Sequence, residues 1–153
     1  MRLRKYIPED LPQIARLFYD TIHQVNCRDY APEQIEVWAG SRDRLLAQND
    51  FFESLYTLVA LDGQTVAGYG NIGSDGYLDH LYVHKDYQGK GVATALCDAL
   101  EQYAASQGAT CITVHASITA QPFFLHRGYR TMHSQQVLRQ GVALTNYLMQ
   151  KEL

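Results

Sequence analysis

Residues 55–84, LYTLVALDGQTVAGYGNIGSDGYLDHLYVH, constrain the fold more than any other stretch of the chain. Three runs rich in β-branched and aromatic residues are cut by Asp62-Gly63 and by Ser74-Asp75-Gly76, so the pattern predicts an antiparallel meander. A helix follows from about Gly91 to Gln107, with Val92, Leu96, Leu100 and Tyr103 on one face and Gly108 as its stop. Before the meander the spacing predicts a short strand over Met1–Tyr6 and a helix over 8–25. That helix starts in Pro8, Glu9 and Asp10 and carries Leu11, Ile14, Leu17, Phe18 and Ile22 at helical intervals. A second helix fits APEQIEVWAG, with Pro32 in its first turn and Gly40 at its end, and RDRLLAQNDFF continues in helical form. After the central helix come a strand, ATCITVHAS, a short helix, TAQPFFLHRG, and a hairpin over Tyr129–Met149 turning at Gln140-Gly141. Strands and helices interleave without repeat or linker, which implies a single mixed α/β domain over 1–153.

With 153 residues, 46% of them hydrophobic, the chain can bury one ordinary core. A net charge of −3 and scattered basic residues speak against a nucleic-acid partner. The sequence shows no charged-then-apolar leader and no apolar run of membrane length, so no membrane partner and a cytoplasmic location are expected. The three cysteines, Cys27, Cys97 and Cys111, form no C-x-x-C pair. Cys97 and Cys111 read as small buried hydrophobes, as reduced thiols in the cytosol would be. His80 and His84 lack a third ligand nearby, so no metal is expected.

The stretch HLYVHKDYQGKGVATAL joins a strand to a helix through a glycine turn, which is the physical recipe for an anion site. Unpaired N–H groups at a helix start point outward and the helix dipole favours negative charge there. The nucleotide-triphosphate loop, G-x-x-x-x-G-K-S/T, fails because His84 and Gly91 stand where a glycine and a Ser or Thr are required. The dinucleotide pattern G-x-G-x-x-G fails at Thr94.

What matches is Q-x-x-G-x-A, Gln88-Gly89-Lys90-Gly91-Val92-Ala93, directly after LYVHKDY. It resembles the acetyl-CoA-binding motif of the GCN5-related N-acetyltransferases (the GNAT family). SITAQPFFLHRGY, some thirty residues on, is similar to that family's second motif. The resemblance covers about residues 55–130. It implies an α/β (α+β) fold: a central mixed, mostly antiparallel sheet of six to seven strands, splayed between two central strands and flanked by about four helices. It also implies an acyltransferase that moves an acetyl group from acetyl-CoA to a primary amine of a small molecule or peptide, by direct attack in a ternary complex. A homodimer is frequent in the family.

Carried onto this sequence, the resemblance assigns the CoA pyrophosphate to the backbone of Gln88, Gly89, Lys90, Gly91, Val92, Ala93 and Thr94. Leu81, Tyr82 and Val83 pair with the pantetheine amides, with a backbone N–H of Leu81 or Tyr82 facing the developing oxyanion. Strand alternation would put Tyr77, Asp79, Leu81 and Val83 on one face and Leu78, His80 and Tyr82 on the other. Asp79 stands where the family often carries an acidic base. Counting back from Gly128 in the second motif puts Phe124 at the family's tyrosine, Ala120 at its alanine and Ser117 at its asparagine. Ser117 can still bond the cofactor and Phe124 can pack on it, but Phe124 has no hydroxyl to protonate the departing thiolate. Another group then does so (Tyr147 and Tyr82 are the candidates), or water does, or turnover is slow. Tyr30, Trp38 and Tyr77 are candidate acceptor contacts, with core packing the alternative for Tyr30, Trp38 and Tyr147. His115 ends a strand and could face the cleft. The missing hydroxyl also leaves room for a non-catalytic acyl-CoA-binding sensor or partner module.

Overall fold

The three runs of the meander become β2 (Tyr56–Asp62), β3 (Thr65–Ile72) and β4 (Tyr77–Val83) in the computed structural model, which describes residues 1–153. They are joined by β1 (Arg2–Lys5) on one side and by β5 (Cys111–Ser117), β7 (Val142–Glu152) and β6 (Arg130–Arg139) on the other. The result is a seven-stranded mixed sheet in the order β1-β2-β3-β4-β5-β7-β6. Every neighbouring pair is antiparallel except β4–β5. The β6–β7 hairpin turns at Gln140-Gly141, both in the left-handed region, as a two-residue turn of primed type requires.

Helices cover both faces and each face closes its own core. On one side α1 (Leu11–Gln24), α2 (Pro32–Ala39) and α3 (Asn49–Ser54) bury Ile14, Phe18, Ile22, Ile35 and Phe52 against Val59 and Tyr69. On the other, α4 (Val92–Ser106) and α5 (Gln121–His126) bury Leu96, Leu100 and Phe124 against Ala60, Ile112 and Met149. The expectation of about four helices becomes five, because the N-terminal half is more broken than its periodicity suggests. Residues 8–10 form a 3-10 turn ahead of α1, and 42–52 split into a 3-10 turn over Arg44–Ala47 and the short α3. No helix is long and apolar enough to cross a membrane.

Two irregularities of β4 position everything else. The register with β3 pairs Asn71 with His80 but Ile72 with Leu78, so Asp79 is an extra, bulged residue. A bulge reverses side-chain alternation, and the simple two-face pattern expected from the sequence is therefore wrong. Leu78, Leu81 and Val83 all pack into the α4 core, while His80 and Tyr82 face Phe18 of α1. The second irregularity is the seam: β4 and β5 pair only at Tyr77–Thr113 and Leu78–Val114 and then diverge.

Candidate active site

Where β4 and β5 diverge, a cleft of about 780 Å³ passes through the sheet and reaches both faces. On the α4 side its wall is made by the turn before α4 and by Phe123 and Phe124 of α5. Gly89 and Gly91 have φ of +71° and +81°, conformations that only glycine adopts at little cost. A Cβ at either would meet nothing within 4 Å, so the backbone twist, not crowding, demands glycine. The first main-chain bond of α4 is Ala95 N–H to Gly91 O, and the N–H groups from Gln88 to Thr94 donate to no protein acceptor. An exposed row of such donors at a helix start is an anion cradle. The Gln88 side-chain Nε2 donates to Val83 O at 2.7 Å and so ties the turn to β4.

The open edge of β4 supplies the next part of the cleft. His80 N–H donates to Asn71 Oδ1 and His84 N–H to Ala67 O, both toward β3. Alternation along the strand then turns the N–H groups of Leu81 and Val83 toward the cleft. Of the two oxyanion donors considered from sequence, Leu81 faces the cleft and Tyr82 faces β3.

On the α1 side the cleft floor carries Tyr77, Asp79 and His115. The Tyr77 hydroxyl and His115 Nδ1 are 2.9 Å apart. Partial burial raises the Asp79 carboxyl above its ordinary value, with His115 pulling the other way. Tyr82 is packed edge-on to Phe18 and stacked on Tyr69, and burial pushes its phenol up to about 12. His80, ringed by Phe18, Phe51, Phe52 and Tyr69, is pushed down to about 4 by burial, helped by the charges of Arg44 and Arg139. His80 is therefore a neutral core imidazole, and its Nδ1 lies 3.0 Å from the Tyr69 hydroxyl. His84 accepts from Asp86 N–H at 3.0 Å.

Most residues expected at the site line this cleft: Leu81, Tyr82, Val83, Gln88, Gly89, Gly91, Val92, Ala93, Thr94, Ser117 and Phe124 among the cofactor set, and Asp79, Tyr77, Tyr30 and Trp38 among the others. Two do not. The Lys90 side chain is outside the wall, its ammonium 5.6 Å over the Tyr87 ring. Tyr147 pairs with Ala116 across the strands, packs toward the α4 core and is not part of the cleft wall. Tyr30 touches the cleft, but its hydroxyl is engaged in the framework, donating to Thr145 O at 2.7 Å and accepting from Ile118 N–H at 2.9 Å. Phe124 is 2% exposed and packs on Tyr129. Of the cysteines, Cys97 is buried with its thiol pushed up to about 12, while Cys27 is exposed. Sequence reasoning missed Arg44, Arg139 and Asn146, which also line the cleft. Arg44 lies far along the chain from Arg139 and Asn146, which belong to one hairpin, and only the tertiary fold unites them.

A sequence profile described as an acetyltransferase (GNAT) domain matches residues 26–153. The chain is 31% identical over 149 residues to the uncharacterized N-acetyltransferase YafP of Escherichia coli (strain K12), covering 97% of this chain and 94% of that protein. A GCN5-related N-acetyltransferase from Rhodopseudomonas palustris superposes with a TM-score of 0.94 at 38% identity, over 99% of this chain and 95% of that one. The PaiA N-acetyltransferase of Thermoplasma acidophilum, solved in complex with coenzyme A, has a TM-score of 0.78 at 18% identity, over 99% and 98%.

Proposed function

The chain belongs to the GNAT acetyltransferase family, and from that premise we propose that it transfers an acetyl group from acetyl-CoA to a primary amine by direct attack in a ternary complex. One observation carries the reading: the row of unpaired N–H groups from Gln88 to Thr94 continues into a strand edge whose Leu81 and Val83 amides face the same cleft. A pyrophosphate followed by an amide-bearing arm is the ligand that such a sequence of donors suits. Ser117 and Phe124 flank the arm.

Acetyl-CoA supplies an activated thioester. Leu81 N–H is placed to hold negative charge building on the thioester oxygen as the C–N bond forms. Asp79, directly or through water, takes the proton the amine gives up, and breaking the C–S bond returns the electron pair to sulfur. Phe124 provides no proton for that sulfur and Tyr147 is outside the cleft. Tyr82 is the remaining phenol of those considered, and its raised pKa keeps it protonated. Departure without a side-chain acid is also workable, because a thiol near pKa 8.5 is a tolerable leaving group.

Calorimetric titration with CoA, paired with thiol release from acetyl-CoA over a panel of amines, tests this function. Binding with release is expected, and Gly91→Val should weaken CoA at least tenfold with an unchanged circular-dichroism spectrum, through strain of about 1–2 kcal/mol at a left-handed position plus displaced donors. Unaltered affinity in that variant would remove the cradle. Tight CoA binding without release by any amine would favour the non-catalytic module.

A further inference from the structure

The acceptor half of the cleft is electrostatically lopsided. Among all the side chains that line the cleft, only three carry formal charge: Asp79, Arg44 and Arg139. Neither arginine has a carboxylate partner. The ion pairs of the protein involve Arg4 and Arg127 but not these two. Arg44 is nonetheless held in place. Its Nη1 donates to Trp38 O at 2.7 Å, its guanidinium lies 5.9 Å from the Phe18 ring centre, and its stem crosses Gly40. A Cβ at Gly40 would stand 2.6 Å from Arg44 Cδ, so the arginine stem lies directly against the bare glycine backbone. Arg139 ends β6. The register pairs Gln135 with Asn146, Val137 with Leu144 and Arg139 with Val142, which puts Arg139 on the same face as Leu144 and hence on the α1–α2 side. The charges of both arginines reach His80 and Tyr82 on β4 and favour the neutral imidazole and the ionised phenol.

A fixed, half-buried arginine and a second, exposed and unpaired one on the same wall repel cations and attract anions. The same wall contains one more unmet group: Asn146 Oδ1 is buried without a hydrogen-bond partner, an acceptor that a ligand N–H would satisfy. Asp79 and Asn146 therefore suit an amine, and Arg44 and Arg139 suit an anionic group on the same molecule. We infer that the acceptor is a small amine bearing a carboxylate or phosphate, bound with that group on Arg44 and Arg139. This rests on the acetyl-transfer reading and narrows it. Polyamines and lysine-rich peptides are the acceptors such a wall disfavours.

The test compares matched amines, each as free carboxylate and methyl ester, and each as phosphate monoester and alcohol. Thiol release is one readout. The second is independent of turnover: fluorescence of Trp38, the only tryptophan, whose carbonyl bonds Arg44, followed on titrating the same compounds with the protein saturated in CoA. The anionic member of a pair should have the higher kcat/KM by tenfold or more, the scale of one charge-assisted hydrogen bond. Arg139→Gln should abolish that preference through KM, raising KM for the acid far more than for the ester. Arg44→Gln should do the same, its fold checked by circular dichroism. Preference for carboxylates over phosphates, or the reverse, identifies the anion. Esters, alcohols or polyamines used equally well, or an acid-to-ester ratio unchanged in Arg139→Gln, would overturn the inference. Should no amine release thiol, a saturable Trp38 response to the anionic member alone, lost in Arg139→Gln, still upholds the anion site while the transfer reading fails. The absence of that response would end the anion site.

Discussion

Asp79 is itself the extra residue of the β4 bulge. Without the bulge, strict alternation would carry the Leu81 and Val83 side chains to the α1 side with Tyr77 and Asp79, instead of packing them under α4 while the Leu81 N–H faces the cleft. Nothing in composition marks such a bulge, since it changes register and not residue type. The sole hint is an acid interrupting the run from Tyr77 to Val83. Asp79→Asn should lower kcat about a hundredfold or more, as loss of a general base does, with CoA affinity intact by calorimetry. Because the Asp79 carboxyl sits above its ordinary value, the wild-type rate should fall as acidity rises through that shifted value, and the variant should lose this limb. An unchanged kcat and pH profile would assign the proton to His115 or to water instead. His80 makes a separate prediction about stability. Its folded-state pKa is about 4 against 6.5 for the free group, so the unfolded chain takes up the proton first. Stability is complete above pH 6.5 and declines between 6.5 and 4, by about 3 kcal/mol from this residue. Denaturant midpoints across that window for wild type and His80→Leu should converge as pH falls; parallel curves would contradict the neutral buried imidazole.

The elements were more legible than their faces. The meander, the glycine turn, α4 and the closing hairpin follow from turn chemistry and periodicity that no tertiary contact overrides. Residues 42–52 misled because apolar spacing there serves two short pieces, each held by packing, and not one helix. The face that Tyr147 takes depends on pairing with Ala116, a long-range fact. The placement of α4 depends on β3. A Cβ at Gly68 would come within 2.7 Å of Val92 Cγ1 and 3.1 Å of Tyr82 O, so the bare backbone lets the helix start settle against the sheet. Behind it, Glu101 takes hydrogen bonds from Arg127, Tyr129 and Lys151, which fasten the helix to α5 and β7. Burial alone would raise that carboxyl, but these bonds hold it below the ordinary value. Gly68→Val should cost about 1–3 kcal/mol of stability by overpacking and also weaken CoA, since the cradle moves with Val92. A variant with lowered stability but native CoA affinity would uncouple helix seating from the cradle.

At the scale of the whole molecule, the glycine turn and its strand made the proposed donor site readable from sequence, because its residues are contiguous. The acceptor wall was not, because Arg44 and the hairpin that carries Arg139 and Asn146 are distant in the chain and meet only when β5, β7 and β6 are laid beside β4. The seam that makes this meeting possible also divides the sheet. Its two sides share backbone pairs at Leu78 and Tyr77 alone, and past them the Leu81 and Val83 amides have no strand opposite. In hydrogen exchange these two amides should go early, and CoA should protect them while leaving the β2–β3 amides as they were. Equal protection before and after CoA would mean that the arm does not lie along β4. Donor at a hundred times its Kd would add about 2.7 kcal/mol to global stability by mass action. The donor thus works as a clasp on a sheet that the chain leaves half-fastened, and the lifetime of the folded enzyme rises and falls with the supply of the molecule it consumes.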